Sequence, residues 1–177
     1  DHCYQLSSGD AVYLRGPHGV AVTPPEDAHI VCVAGGTGLA AVYQIAQDFG
    51  SGASPVDIFV GARSAERLYF RDECEGVARV TIATDDGSAG FAGRVSDALA
   101  EFLSTQSPEA LAKMVFYNCG PEPMIHASEG VQREHVSADQ IFSAIDYMTK
   151  CGVGICGACA SPDGRRICVD GPFISKA

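Results

Sequence analysis

Short apolar runs alternate with helical patterns along most of the chain. Five runs are rich in apolar and β-branched residues, and the first is continuously apolar, which is typical of a strand covered on both faces. Between them, apolar residues recur at the three- and four-residue spacing of helices that bury one face. The predicted strands are 29–34, 56–60, 79–84, 113–117 and 140–144, and the predicted helices are 39–49, 94–103 and one that begins near Pro121. This order predicts an α/β fold with a parallel, open sheet.

The first 23 residues follow a different pattern. Ala11-Val12-Tyr13-Leu14 alternates like a strand, and the turn-forming Gly16-Pro17-His18-Gly19 follows it. A lone strand cannot bury a face, and the chain opens with Asp1 rather than methionine. We therefore expect either the end of a β-structure in an N-terminally truncated protein, or a strand that pairs elsewhere in the fold.

A glycine-rich turn follows the first predicted strand. In open parallel sheets, ligands bind at the carboxyl ends of the strands. The turn at 35–38, Gly-Gly-Thr-Gly, lies where backbone amides and a helix N-terminus can meet a pyrophosphate. It lacks the G-x-G-x-x-G fingerprint, and no acidic residue ends the second strand to bind a ribose. A tight turn needed only for packing is therefore the alternative interpretation.

Composition and charge exclude several classes of protein. The net charge of −10 over 177 residues would repel phosphates, so no nucleic-acid partner is expected. No apolar run approaches the roughly 18 residues of a membrane helix, so no membrane partner is expected either. Eight cysteines without a secretory segment favour the reducing cytoplasm, where cysteines bind metal. Neither a histidine metal site nor the residue pattern of a hydrolase is present.

Four of the cysteines fall in the last 27 residues, at Cys151, Cys156, Cys159 and Cys168. The first three have the Cys-x4-Cys-x2-Cys spacing of plant-type ferredoxins, which predicts a [2Fe–2S] cluster, with the fourth ligand on a nearby strand. Glycines between them would let the loop bend and aim its amides at sulfur. The alternatives are a structural zinc, which usually uses two short Cys-x2-Cys knuckles, and disulfides or unligated thiols.

Together these segments resemble the ferredoxin-reductase superfamily, in which a flavin-binding barrel precedes a pyridine-nucleotide domain. The matching pieces are Leu-Arg-Gly-Pro-His-Gly (14–19), Ala-Gly-Gly-Thr-Gly-Leu (34–39), Gly-Ala-Arg-Ser (61–64), Cys-Gly-Pro-Glu-Pro-Met (119–124) and the C-terminal cysteine motif. Because the cysteine motif follows the nucleotide domain, the chain resembles more narrowly the electron-transfer subunits of NAD-dependent dihydroorotate dehydrogenases.

The resemblance implies three parts and three cofactors. It implies a remnant of the flavin-binding barrel at 1–23, a pyridine-nucleotide-binding domain at 24–144 and a small β-rich [2Fe–2S] domain at 145–177. The cofactors would be the cluster, NAD(P)H and, in the full-length protein, FAD. The barrel's Arg-x-Tyr-Ser flavin motif is not in this chain, and the segment 145–150 departs from the usual Glu-Arg-x-Met pattern.

The resemblance also implies roles for individual residues. The nucleotide diphosphate would lie against Gly35, Gly36, Thr37 and Gly38, and the adenosine ribose near Arg63 and Asp85. The nicotinamide would contact Gly120, Pro121 and Cys119, and Cys119 would be the catalytic residue. Asp170 and Gly171 would lie towards the flavin. Three alternatives stay open. Arg63 is either a solvated charge or a 2′-phosphate ligand that favours NADP. The alternative for Cys119 is a buried strand-end cysteine without a catalytic role. The alternative for Asp170 and Gly171 is a turn without contact to a flavin.

The implied function is an electron relay in an oxidoreductase. Nicotinamides exchange two electrons as hydride, a [2Fe–2S] cluster passes one at a time, and a flavin can do both. The expected partner is an FMN-containing catalytic dehydrogenase subunit in a hetero-oligomer, which meets the turn around Pro162-Asp163-Gly164. The alternatives are the γ subunit of a cytosolic hydrogenase or the flavin subunit of a sulfite reductase and, in another class, a nucleotide-binding module with a structural zinc.

Overall fold

The computed structural model describes residues 5–50, 55–145 and 147–177, and its centre is one seven-stranded sheet in the order β4-β3-β2-β1-β5-β6-β7. All neighbouring strands are parallel except β6 and β7. The strands are β1 (His29–Gly35), β2 (Val56–Ala62), β3 (Arg79–Thr84), β4 (Phe91–Ala92), β5 (Met114–Cys119), β6 (Ile141–Ala144) and β7 (Ile174–Ser175). The helices are α1 (Gly38–Phe49), α2 (Arg71–Glu75), α3 (Val95–Ser104), α4 (Pro108–Leu111), α5 (Glu122–Arg133) and α6 (Ile167–Asp170).

The two faces of the sheet carry separate cores. Because successive strand residues point to opposite faces, Ile30 and Cys32 pack with α1, whereas Val31 and Val33 pack with α3. The helices present the matching stripes: in α1 the buried residues include Leu39, Val42, Ile45 and Ala46, and in α3 Val95, Leu99 and Leu103. β1 is buried on both faces at the centre of the sheet, as its continuous apolar run predicts.

The predicted α/β fold is confirmed. The five predicted strands correspond to β1, β2, β3, β5 and β6, and the three predicted helices to α1, α3 and α5. α5 begins directly after Pro121, whose fixed φ suits a helix start. The short elements α2, α4, β4 and β7 were not predicted, because two to five residues are too few for a periodic signal. Among the described residues, no helix has the length and apolarity needed to span a membrane.

The N-terminal segment runs over the surface without regular strands. The strand pattern at 11–14 forms no ladder among the described residues, and Tyr13 and Leu14 are 100% and 94% exposed. The expectation that this strand pairs elsewhere in the fold is therefore wrong for the described part of the chain, because no sheet edge lies against it. Its assignment to a flavin-binding barrel stays a prediction.

The C-terminal segment has more turns and less strand than predicted. An isolated bridge joins Ala160 to Arg166 around a tight turn at 161–164, and α6 follows at once. Cys168 lies in α6 and not on a strand, which corrects the prediction for the fourth cysteine. β7 then pairs antiparallel with β6, so the end of the chain belongs to the main sheet.

Candidate functional site

A cleft of about 610 Å³ lies at the carboxyl edge of the sheet, between the loops that follow β1 and β5 and the C-terminal segment. It is lined by Gly35, Gly36, Thr37, Gly38, Cys119, Gly120, Pro121, Glu122, Ala144, Ile145, Tyr147, Thr149, Ile167 and Pro172. The structure thus brings together the predicted diphosphate turn and the predicted nicotinamide loop. The cleft's other wall comes from residues that flank the cysteine motif.

The turn after β1 combines a packing role with an open binding face. A Cβ at Gly38 would lie 2.2 Å from the Cys119 carbonyl oxygen, so the turn packs directly on the loop after β5. Gly36 has φ 55° and nothing within 4 Å of its Cβ position, so the backbone there is open to a ligand. The first turn of α1 carries no acidic residue, which leaves its positive dipole end available to a phosphate.

Cys119 is the last residue of β5 and lies half-buried in the wall of the cleft. Its strand neighbour is Ala34, one residue before the glycine turn. Gly120 and Pro121 continue the same wall and lead into α5. The position suits contact with a bound nicotinamide, although the catalytic role of Cys119 stays a prediction.

Arg63 and Asp85 lie outside the lining of this cleft, on two neighbouring loops further along the same sheet edge. The Asp85 amide donates to Ala62 at 3.0 Å, and the Asp86 amide donates to Arg63 at 3.2 Å. The Ala65 amide donates to Ser88 Oγ at 2.7 Å. The loops after β2 and β3 therefore form one exposed unit, which keeps the predicted ribose site geometrically possible.

Asp170 and Gly171 are engaged in local structure. Asp170 Oδ2 accepts a hydrogen bond from the Arg166 amide at 2.7 Å, and the Gly171 carbonyl accepts one from Val20 at 2.7 Å. The neighbouring Pro172 lines the cleft in their place. The lining residues Tyr147, Thr149 and Ile167 were not predicted, because they reach the cleft only through the return of the C-terminal segment to the sheet.

The cysteine loop directs backbone amides at sulfur. Cys151 Sγ lies 3.5 Å from the Val153 nitrogen, 3.4 Å from that of Ile155 and 3.5 Å from that of Cys156. Cys168 Sγ lies 3.3 Å from the nitrogen of Gly154. Amide donors around sulfur are what an iron–sulfur ligand loop provides, because they stabilise negative charge on the thiolates.

These contacts change the acidity of the thiols. The amides of Cys156, Val153 and Ile155 lower the pKa of Cys151 to about 6, so this thiol ionises readily. The Cys168 amide lowers the pKa of Cys159. Burial raises the pKa of Cys168. Metal ligation requires deprotonated cysteines, and two of the four are favoured as thiolates by their own surroundings.

The four thiols are arranged as two pairs. The Cys151 thiol lies close enough to interact with that of Cys156, and the Cys159 thiol with that of Cys168. In the described part of the chain, no three His, Cys, Asp or Glu side chains gather as they would around one metal ion. A structural zinc takes four ligands on one centre, whereas a [2Fe–2S] cluster takes two thiolates on each iron. The Cys-x4-Cys-x2-Cys spacing therefore remains the argument for a cluster over a zinc ion.

The parallel sheet, the glycine turn at a helix start and the cysteine loop define a pyridine-nucleotide-binding oxidoreductase domain joined to an iron–sulfur domain. Residues 32–130 match the oxidoreductase NAD-binding domain, and residues 146–176 match the iron-sulfur cluster binding domain of dihydroorotate dehydrogenase B. The chain belongs to the family of dihydroorotate dehydrogenase B electron transfer subunits.

Two archaeal relatives show the extent of the similarity, each named "Probable dihydroorotate dehydrogenase B (NAD(+)), electron transfer subunit". The protein from Methanocaldococcus jannaschii is 34% identical, over 97% of this chain and 64% of its own length. That from Archaeoglobus fulgidus is 34% identical, over 96% and 68%. The chain thus spans between three fifths and seven tenths of their length. The NADH-dependent reduced ferredoxin-NADP oxidoreductase shares the fold, with a TM-score of 0.83 over 99% of this chain and 62% of its own, at 23% identity.

Proposed function

We propose that this protein is the electron-transfer part of a dihydroorotate dehydrogenase and passes electrons between a [2Fe–2S] cluster, FAD and NAD. One observation carries the proposal. A single cleft is walled by the glycine turn on one side and by Ile167 and Pro172, which flank Cys168, on the other. A nucleotide bound there lies beside the segment that holds the cluster, as an electron relay requires.

The net reaction balances as a two-electron transfer. Dihydroorotate loses two electrons and two protons to become orotate, NAD⁺ takes up both electrons and one proton as NADH, and the second proton goes to solvent. With both groups bound, the cluster would supply one-electron transfer, and FAD, held by the full-length protein, would supply the exchange between one and two electrons. Oxidation of dihydroorotate itself belongs to an FMN-containing catalytic partner in a cytoplasmic hetero-oligomer.

Different residues of this chain would bind the cluster, the diphosphate and the nicotinamide. Cys151, Cys156, Cys159 and Cys168 would ligate iron, with the loop amides compensating the charge on sulfur. Gly36 and the start of α1 receive the diphosphate without steric conflict. Cys119 and Gly120 would contact the nicotinamide, and Tyr147 lines the same cleft.

The partner would approach the exposed side of the cysteine loop. Met148, Val153 and Ile155 are 69%, 62% and 84% exposed, and they flank the two outer ligands Cys151 and Cys156. Apolar side chains around a redox centre allow close, dry contact with a partner protein, which shortens the path for electrons.

The test is iron and acid-labile sulfide content with a visible spectrum on anaerobically purified protein, followed by dihydroorotate-dependent NAD reduction by the full-length, flavin-loaded protein with the catalytic partner added. We expect about two irons and two sulfides per chain, bleaching by dithionite, and NADH formation that requires both proteins. Cys156→Ser should lose the cluster and the activity, whereas Cys74→Ala, which lies outside the loop, should keep both. Zinc in place of iron, or a loaded protein that does not couple to dihydroorotate oxidation, would overturn the proposal.

A further inference from the structure

The segment from Arg15 to Val20 lies directly against the cysteine loop. The Arg15 guanidinium donates to the Lys150 carbonyl at 2.6 Å, one residue before Cys151. The Gly19 amide donates to the Cys168 carbonyl at 2.9 Å. Two ligand positions far apart in the C-terminal segment are thus held by one short stretch near the start of the chain.

Between these two anchors, the His18 ring packs on the loop backbone. A Cβ built at Gly152 would lie 2.4 Å from His18 Cε1, 2.9 Å from Nε2 and 3.0 Å from Nδ1. Gly152 has φ 73°, in the left-handed region that favours glycine. The half-buried imidazole therefore fills the space in which a side chain at position 152 would otherwise lie.

The backbone amides that point at Cys151 Sγ follow directly after Gly152, where His18 packs. The amides of Val153 and Ile155 reach Cys151 Sγ at 3.5 and 3.4 Å, starting one residue after Gly152. Both side chains are mostly exposed, at 62% and 84%, so packing of these side chains does little to hold the amides in place. Support for this turn comes instead from the backbone side, where the His18 ring lies against Gly152 and the Arg166 guanidinium donates to the Gly154 carbonyl at 2.7 Å.

We infer that His18 is a positioning residue for the iron–sulfur loop: its ring packs on Gly152 and keeps the following amides aimed at Cys151. The inference rests on the proposed cluster. His18 acts through Gly152 and is not assigned as an iron ligand. Loss of outer partners of metal ligands typically weakens metal binding by about 10–100-fold, and we expect an effect in this range.

The experiment compares His18→Ala and His18→Phe with the parent protein. Tyr13→Ala is the matched control, because Tyr13 is a ring in the same segment that is fully exposed. Iron release to a ferrous chelator and the EPR spectrum of the dithionite-reduced protein are measured on each. We expect His18→Ala to release iron about 10–100-fold faster with a shifted spectrum, and His18→Phe to restore a rate near the parent's because an aromatic ring still packs on Gly152.

Two results would overturn the inference. One is parental iron release and an unchanged spectrum in His18→Ala, and the other is equally fast release from His18→Phe. If the parent protein holds no iron, the proposed function fails separately. Hydrogen exchange of the Val153 and Ile155 amides in metal-free protein then decides the inference, because His18→Ala should speed their exchange whereas Tyr13→Ala should not.

Discussion

Gly36 and Gly38 lie two residues apart in the same turn, yet they meet different surroundings. The Cβ position of Gly36 is open, whereas that of Gly38 is 2.2 Å from a backbone oxygen. We predict that Gly36→Ala weakens NADH affinity by tenfold or more, because the methyl group would enter the space left for the diphosphate. Its cost to stability should be about 1–2 kcal/mol, from the left-handed backbone alone.

In Gly38→Ala, by contrast, the main loss should be in stability. The new methyl group would push the glycine turn away from the loop after β5, and we expect a loss of about 3 kcal/mol in the free energy of unfolding. Gly130→Ala is the control, since Gly130 lies inside α5 with nothing within 4 Å, and it should stabilise by about 0.5–1 kcal/mol. Urea unfolding and NADH titration of all three variants check this, and equal effects of Gly36→Ala and Gly38→Ala would contradict it.

Tyr117 offers a residue-scale test by pH. Burial first, and then the nearby Cys32 thiol, raises the pKa of its phenol to about 12. Because the pKa of an unfolded tyrosine is about 10, Tyr117 adds stability that is present below pH 10 and is lost as the pH rises towards 12. In an ultraviolet titration of phenolate, the step near pH 12 should disappear in Tyr117→Phe and remain in Tyr13→Phe. Burial also raises the pKa of Tyr69, and its step should be the same in both variants. A step near pH 12 that survives Tyr117→Phe would contradict the assignment.

At the scale of elements, side-chain contacts attach β7 to the sheet in addition to its two backbone pairs with β6. Lys176 Nζ lies 3.1 Å from Glu129 Oε1 on α5, and Ser143 Oγ on β6 donates to the same oxygen at 2.6 Å. Both charged side chains are mostly buried, at 18% and 10% exposed. Ser143 also accepts from Asn118 on β5, whose amide is paired with Gln132. This polar chain joins the end of the C-terminal segment to the strand that ends in Cys119.

We predict that Lys176→Met destabilises the protein by about 3 kcal/mol, because it leaves the Glu129 carboxylate buried without its cation. Adding Glu129→Gln should recover part of that loss, since the uncompensated charge is then gone. Lys113→Met, which replaces an exposed lysine directly before β5, should change stability by less than about 0.5 kcal/mol. Thermal unfolding of the four proteins measures this, and additive losses in the double variant would count against it.

At the scale of the whole molecule, the sequence predicts the strands, helices and cysteine motif that have a local pattern. It does not predict how the C-terminal segment packs on the sheet. β1 to β3, β5 and α1 each carry their own periodic signal, and the cysteine spacing is a local motif. The two-residue β7 and the cleft wall at Tyr147 and Ile167 carry no such signal. Their positions depend on tertiary contacts between residues far apart in the chain, which no window of sequence contains.

The same distinction predicts how the molecule responds when its metal is removed. Beyond the His18 ring, the cysteine loop has little apolar support, so iron should add to its order without being the only source of it. β7 depends instead on the sheet, because the backbone amide of Lys176 donates to the Ile141 carbonyl at 2.9 Å. The side chains of Phe173 and Ile174 are also only 9% and 6% exposed. After chelation, we expect hydrogen exchange to accelerate across 151–157 while the Lys176 amide keeps its protection. β1 and β5, which are buried in the core, are the internal reference. Equal loss of protection at Lys176 would mean that the whole C-terminal segment folds with its metal, and that β7 contributes no independent anchor.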